Sequence, residues 1–312
     1  MKIIFMGTPD FAVEALVALV EAGHEVSAVV TQPDKEKGRG KAVQFTPVKE
    51  KAITYGIPVY QPERVKTDED FYEMLVGQAP DVIVVAAFGQ ILPKRILELP
   101  RYGCVNIHAS LLPKYRGSAP IQWAVIDGEK ESGITTMMMD VGMDTGDMLE
   151  KTVVTLDEKE TGGSLFDRLS HEGGSLILST LDKLEKGTIT RTKQPEEGIT
   201  YAKMLDKSMG LIDWSRSAEG IERLVRGLNP WPSAYTHYEG KTLKIWEAFV
   251  LSEQSQTDAV PGMIEKVEKD YFTIRTGDGI LAVKELQLEG RKRMDAGAFL
   301  RGYPLMTGII LN

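Results

Sequence analysis

Cysteine is nearly absent from this chain of 312 residues. Cys104 stands alone, so no internal disulfide can form, and that usage predicts a reducing, cytoplasmic setting. Histidine is scarce too, at 4 residues, and no CxxC or HExxH spacing occurs. No metal is therefore expected. Long apolar runs are missing as well. The opening MKIIFMGTPDFAVEAL is broken by Gly7, Pro9 and Asp10, too soon for a signal segment or a membrane span, and it reads as a first strand. No membrane partner is expected.

What is present describes a globular protein of more than one core. Hydrophobic residues make up 42%, charged residues 26%, and the mean hydropathy is -0.16. A chain of this length predicts two domains. The net charge of -8 is not evenly spread: residues 203–312 hold 15 basic and 15 acidic residues, leaving 22 against 30 before them. That balance argues against a broad polyanion binder but permits a local basic patch.

The first half alternates short apolar runs (KIIFMG, EVSAVVTQ, DVIVVAAFG, YGCVNIHAS) with helical patterns, which predicts buried parallel strands joined by helices. The segment from Glu160 to Gly187 has helical spacing and is expected to close this α/β domain, placed at 1–188. Residues 189–205 mix polar residues with Pro195 and Gly198, as linkers do. Residues 206–312 carry an amphipathic helix and about five short β-rich runs between Gly and Asp turns, the pattern of a small antiparallel barrel or sandwich.

Three stretches could carry chemistry. The first turn, GTPDFA, lacks the second and third glycines that let a pyrophosphate approach a helix N-terminus, so a dinucleotide site is not expected. Asn106 and His108 are two apart at the end of an apparent strand and therefore share one face at its carboxyl edge. A loop with Ser110, Pro113, Arg116, Gly117 and Pro120 follows. Asp140, Gly142, Asp144, Gly146 and Asp147 crowd a second turn, where calcium spacing fails and an ordinary acidic loop is the plain alternative.

FGQILP (88–93), NIHASLLPKYRGSAPI (106–121) and MDVGMDTGD (139–147), in that order and spacing, resemble the bacterial methionyl-tRNA formyltransferase family of folate-dependent enzymes. GTPDFA, TQPDKEKGRGK and NPWPSAYT extend the resemblance over the whole chain, and Ser118 stands where the family commonly carries Ala. The resemblance implies a Rossmann-like formyltransferase domain followed by an OB-like β-barrel that binds tRNA. It implies 10-formyltetrahydrofolate as co-substrate and charged initiator methionyl-tRNA as acceptor. It places catalysis on Asn106, His108 and Asp144, and folate contacts on Ser110, Leu111, Leu112 and Pro113. Phe88, Ile91, Leu92 and Val141, with Gln90 in the same GQILP loop, suit an apolar folate pocket. A core role is the alternative for the apolar ones.

The residue types fit formyl transfer to an amine. Asn106 and a ring N–H of His108 can donate to an oxyanion, and Asp144 can hold an imidazolium and relay a proton. Residues 34–51 hold six basic and three acidic residues, with Gly38 and Gly40 flanking Arg39. That segment is expected to be a mobile loop in which Arg39 and Lys41 contact tRNA, the resemblance placing such an insertion here. A small amine acceptor, such as an amino-sugar nucleotide or glycinamide ribonucleotide, keeps the same three residues and stays open. A noncatalytic RNA-binding module and a nicotinamide oxidoreductase fit less well. A monomer is the default expectation.

Overall fold

Seven strands of the N-terminal half build one sheet. In chain order they are β1 (Lys2–Gly7), β2 (Glu25–Val30), β3 (Val59–Tyr60), β4 (Val82–Ala86), β5 (Cys104–His108), β6 (Glu131–Met138) and β7 (Met148–Thr155). They lie side by side as β7-β6-β5-β4-β1-β2-β3. β1 to β5 pair in parallel, and β6 and β7 are added antiparallel. This computed structural model describes residues 1–37, 42–251, 260–303 and 305–312. Arg39 and Lys41 lie outside the described residues.

The burial of each strand follows from its place in the sheet. β1 and β4 lie between other strands and are buried from Ile3 to Gly7 and from Val82 to Ala86, which is why both read as unbroken apolar runs. β7 is an edge strand, and its residues alternate between more and less exposed. Gly7 is required by packing: a Cβ there would stand 2.7 Å from Ala12 Cβ and 3.0 Å from the Ala86 carbonyl. The lone glycine of the first turn is thus accounted for by close approach of strand and helix.

β5 has a parallel neighbour on one side and an antiparallel one on the other: Val85 pairs with Asn106 across β4, and Met137 with Asn106 across β6. Its carboxyl end therefore opens where the sheet changes direction, the position at which α/β sheets offer a crevice.

The C-terminal part is built on the helix Ala218–Gly227, capped by Ser217, and on an antiparallel sheet. Its strands are β8 (Ala234–Tyr238), β9 (Lys241–Leu251), β10 (Ile264–Val267), β11 (Phe272–Arg275) and β12 (Ile280–Leu288), in the order β8-β9-β12-β11-β10, with Met294–Asp295 added against β12. The chain end completes the circuit. Ile309 and Leu311 bond to Ile264 and Gly262 beside β10, and Asn312 exchanges backbone bonds with His237 of β8. The sheet closes in this way into the barrel-like ring that the β-rich runs foreshadow.

The chain divides into two compact units, and the division differs from the expected boundaries. The first unit is 1–120, 131–155 and 166–202; the second is 121–130, 156–165 and 203–312. Two short segments inside the N-terminal half thus pack with the C-terminal unit: the Gly163 amide bonds to the Asn229 carbonyl, and Arg226 to the Glu160 carbonyl. The expected linker 189–205 belongs to the first unit as far as Ala202. Thr192 pairs with Met148, and Tyr201 and Ala202 pair in parallel with Arg116 and Gly117. No single cut of the chain separates the two units. Among the described residues no helix is long and apolar enough to cross a membrane.

Candidate active site

β5 supplies the first two side chains. Asn106 and His108, alternate residues of one strand, face the same side and are 9% and 5% exposed. The Asn106 side chain makes no hydrogen bond to other described residues, which leaves its amide free to donate. His108 is fixed: its Nε2 lies 2.9 Å from the Tyr115 carbonyl. A carbonyl only accepts, so Nε2 carries the hydrogen and Nδ1 is the ring atom left to the site. Nδ1 lies 3.7 Å from Asp144 Oδ2. The expectation of a generic ring N–H donor sharpens here, because Nδ1 donates only when the ring is an imidazolium.

The loop after β5 is pinned from several sides. Thr135 Oγ1 donates to the Ser110 carbonyl at 2.7 Å and accepts from the Leu112 amide at 3.2 Å. Ser110 Oγ donates to the Lys114 carbonyl at 2.6 Å, and Lys151 Nζ to the Leu112 carbonyl at 2.6 Å. The Tyr115 amide reaches Thr200 Oγ1 at 2.8 Å, and the Arg116 and Ser118 amides bond to the Thr200 and Ala202 carbonyls. Leu112 is buried against Met137 and Met148. The Ser110 hydroxyl is engaged within the loop, and of residues 110–113 only Leu111 and Pro113 are half-buried.

The acidic loop between β6 and β7 supplies the carboxylate. Asp140 serves its own turn, accepting from the Gly142 amide at 3.0 Å and the Thr145 hydroxyl at 2.6 Å. Asp144 takes the left-handed backbone conformation, φ +53°, and its Oδ2 accepts from the Gly117 amide at 2.8 Å. Gly146 admits no side chain, since a Cβ would lie 1.8 Å from the Met138 carbonyl. Gln194 Nε2 donates to the Asp144 and Gly146 carbonyls at 2.7 and 2.9 Å, and its Oε1 accepts from Arg116 Nε and Nη2 at 3.0 and 2.7 Å. Among the described residues no three His, Cys, Asp or Glu side chains are grouped to hold a metal ion.

The 88–92 loop behaves differently from the expectation of apolar contacts throughout. Phe88 and Leu92 are each 2% exposed and pack in the core with Ile4, Met6 and Val85, so they shape a wall from within. Gln90 ties the loop to its neighbour: its Oε1 accepts from the Val65 amide and its Nε2 donates to the Pro62 carbonyl. Ile91, at 77% exposed, and Val141, at 70%, do present apolar surface. A cavity of about 440 Å³ is walled by Leu97, Tyr102, Met139 and Val141, with Arg101 and Arg191 also lining it. Of the expected pocket residues, Val141 alone lines this cavity.

Two further points limit the chemistry. Burial pushes the Cys104 thiol up to about 12, so it is no nucleophile at neutral pH. At the base of the basic insertion, Lys49 pairs with Asp34 and bonds to Gln61, so one of its six cations is already used within the fold.

Residues sequence reasoning missed are Thr135, Lys151, Thr200 and Gln194. Each bonds to backbone of the two loops that flank His108. Thr135 alone had a usable signal, as a polar residue inside the apolar strand ITTMMM.

Comparison with known proteins agrees with this architecture. Residues 1–181 match the formyl transferase family, and residues 204–304 match the formyl transferase C-terminal domain. The methionyl-tRNA formyltransferase of Lachnospira eligens is 59% identical over 315 residues, covering 100% of both chains. That of Clostridioides difficile is 50% identical over 312 residues, again covering 100% of both. Among solved structures, an N-formyltransferase from Helicobacter canadensis, in complex with folinic acid and dTDP-3-aminofucose, superposes with a TM-score of 0.67. It is 19% identical and covers 94% of this chain and 100% of its own. HypX from Aquifex aeolicus in complex with tetrahydrofolic acid gives 0.64 at 17% identity, over 100% of this chain and 50% of its own. At such identities the structures speak for the fold alone, whereas the full-length relatives carry the family: the chain belongs to the methionyl-tRNA formyltransferase family.

Proposed function

We propose that this protein transfers a formyl group from 10-formyltetrahydrofolate to the α-amine of methionyl initiator tRNA, with Asn106, His108 and Asp144 as the catalytic residues. The observation that carries the reading is the convergence of an unpaired Asn106 amide, a His108 ring fixed through Nε2, and a carboxylate 3.7 Å from the other ring nitrogen.

The lining of the cavity suits the co-substrate. Leu97, Tyr102, Met139 and Val141 offer apolar and aromatic surface to a flat heteroaromatic ring, and Lys94, Arg101 and Arg191 outnumber Glu98 and Asp140 in the charge offered to an anionic tail, while Asn106, His108 and Asp144 lie outside this lining. When bound, the folate supplies the formyl carbon and the nitrogen that leaves.

The acceptor amine needs no covalent help. An α-amine has a pKa of about 7.7–8.0, so a useful fraction is neutral near pH 7. As the amine attacks, negative charge gathers on the formyl oxygen. Asn106 Nδ2 and protonated His108 Nδ1 donate to it, and one such donor contributes about 2.7–4 kcal/mol in comparable sites. Asp144 keeps the imidazolium in place and accepts the proton from the amine, directly or through water, for delivery to the leaving nitrogen. The Gly117 amide holds Asp144 Oδ2 while this happens.

The tRNA contact is assigned to Arg39 and Lys41, on the basic composition of their segment and the place of the insertion after β2. A cytoplasmic monomer completes the reading, consistent with a lone, buried cysteine.

The test is direct. The protein is incubated with 10-formyltetrahydrofolate and charged initiator tRNA, and the methionine is analysed for the formyl group. Free methionine, uncharged tRNA and an amino-sugar nucleotide serve as alternative acceptors. Formylation of the charged tRNA alone is expected; a preference for the small amine would move the assignment to the other acceptor class.

A further inference from the structure

Gln194 lies in the aperiodic, Pro-containing stretch that reads as a linker, yet it makes four hydrogen bonds at the heart of the site. We propose that Gln194, oriented by Arg116, is the positioning residue that holds the left-handed backbone at Asp144 and so aims its carboxylate at His108. This rests on the assignment of Asp144 to formyl transfer and adds the means by which the carboxylate is held.

The argument begins with the backbone. An Asp with φ +53° is in a region that L residues seldom enter, and it persists only where surrounding bonds over-determine it. The bonds that could do so are few. Asp140 and Thr145 bond to each other within the loop, and Val141, Gly142 and Met143 are exposed. Outside help comes from Gln194, whose amide spans the two carbonyls that bracket residue 145. Those carbonyls can only accept, so the amide orientation of Gln194 is fixed with Nε2 towards the loop and Oε1 towards Arg116.

Arg116 makes that orientation hold from the other side. Arg116 is 7% exposed, and its guanidinium donates twice to Oε1. A charged donor pair on one acceptor is stronger and more directional than a neutral bond. Arg116 also precedes Gly117, whose amide is the hydrogen-bond donor to Asp144 Oδ2. The same two-residue strand thus grips Asp144 twice, once through its carboxylate and once, by way of Gln194, through its carbonyl. A Gly117 side chain would disturb this, since a Cβ would lie 2.7 Å from the Ala202 carbonyl.

Two substitutions separate the parts of the clamp. Gln194→Met keeps the length and removes all four bonds. Gln194→Glu keeps the acceptors for Arg116 but offers a carboxylate to the two loop carbonyls in place of donors. Both are expected to lower kcat by roughly 10- to 100-fold, below the full contribution of a proton-transferring group, while KM for charged tRNA stays within about twofold. A structural role elsewhere would not move one particular signal: the amide resonance of Gly117 in ¹⁵N-labelled protein. In Asp144→Ala that amide loses its carboxylate acceptor and shifts upfield. In both Gln194 variants it should move towards the same position, while the amide of Gly210, in the second unit, stays unchanged as the check on folding.

Wild-type kcat and an unmoved Gly117 resonance in Gln194→Glu, with Asp144→Asn inactive, would overturn the clamp and leave the catalytic reading standing. Wild-type turnover by Asp144→Asn would instead overturn the assignment on which the clamp rests. If Gln194→Met fails to fold, Gln194→Glu alone decides between these results.

Discussion

The two loops that flank His108 solve opposite problems. Residues 110–117 are held by Thr135, Lys151, Thr200 and their own Ser110, with Leu112 in the core. Residues 139–147 expose Val141 and Met143 and depend on Asp140 within and Gln194 from outside. The first loop is a mount for His108 and for the Gly117 amide, where fixed geometry lowers the reorganisation needed as charge develops. The second carries the carboxylate of Asp144 and leaves apolar side chains exposed, and Gln194 anchors it from outside. Rigidity and exposure are divided between the loops.

The comparison can be broken at the carboxylate. Asp144→Asn keeps the size and the acceptor for the Gly117 amide but removes the charge facing His108. Turnover should fall by about 10²–10⁴ with little change in melting temperature. Activity within a few-fold of wild type, measured by single-turnover formylation, would show that the acidic loop contributes surface only.

Breaking the rigid loop should cost stability as well as rate. Thr135→Val keeps the shape and orphans the Ser110 carbonyl and the Leu112 amide, both in buried surroundings. A loss of about 1–3 kcal/mol in urea unfolding is expected, with a parallel fall in kcat. A stable but slow variant would mean that Thr135 acts on the chemistry and not on the mount.

The tRNA contact should have a smaller, salt-dependent effect. Arg39→Ala and Lys41→Ala are expected to lower kcat/KM for charged tRNA and leave folate affinity unchanged, with Arg39 the larger because its guanidinium binds phosphate bidentately or stacks on a base. Each lost phosphate contact should flatten the slope of log affinity against log salt by about 0.7–0.9. Unchanged formylation across a salt series would leave the insertion a solvated surface.

The smallest effect belongs to the exposed apolar surface. Val141→Ser should raise KM for the folate a few-fold with an unchanged melting temperature, since a side chain 70% exposed contributes little to the fold. An unaltered KM would place the folate away from the cavity that Val141 lines.

Much of this was legible in the residues. Continuous apolar runs announced β1, β4 and β5, and the two-residue spacing of Asn106 and His108 placed them on one face. The β-rich texture after 233 gave strands close to β8 through β12. What stayed hidden were bonds to backbone. Gln194 looks like any polar residue in an irregular stretch, because its meaning lies in carbonyls some fifty residues earlier. Leu92 read as a pocket residue with core as the alternative, and its burial puts it in the core. The segments 121–130 and 156–165 carry ordinary local patterns, which say what they form and not which unit they join. Gly146 was readable as a turn former, but its true constraint is the Met138 carbonyl 1.8 Å from where a Cβ would stand.

The central claim is that Asn106 and His108, two positions apart on β5, donate to a single oxyanion. A double-mutant cycle in single-turnover formylation of charged initiator tRNA tests it, using Asn106→Ala, His108→Ala and the pair. Each single variant should lose about 2.7–4 kcal/mol of transition-state stabilisation, and the double variant less than the two losses together, because groups that act as a unit are not additive. Strict additivity would show that the two side chains serve separate steps, and would contradict the account.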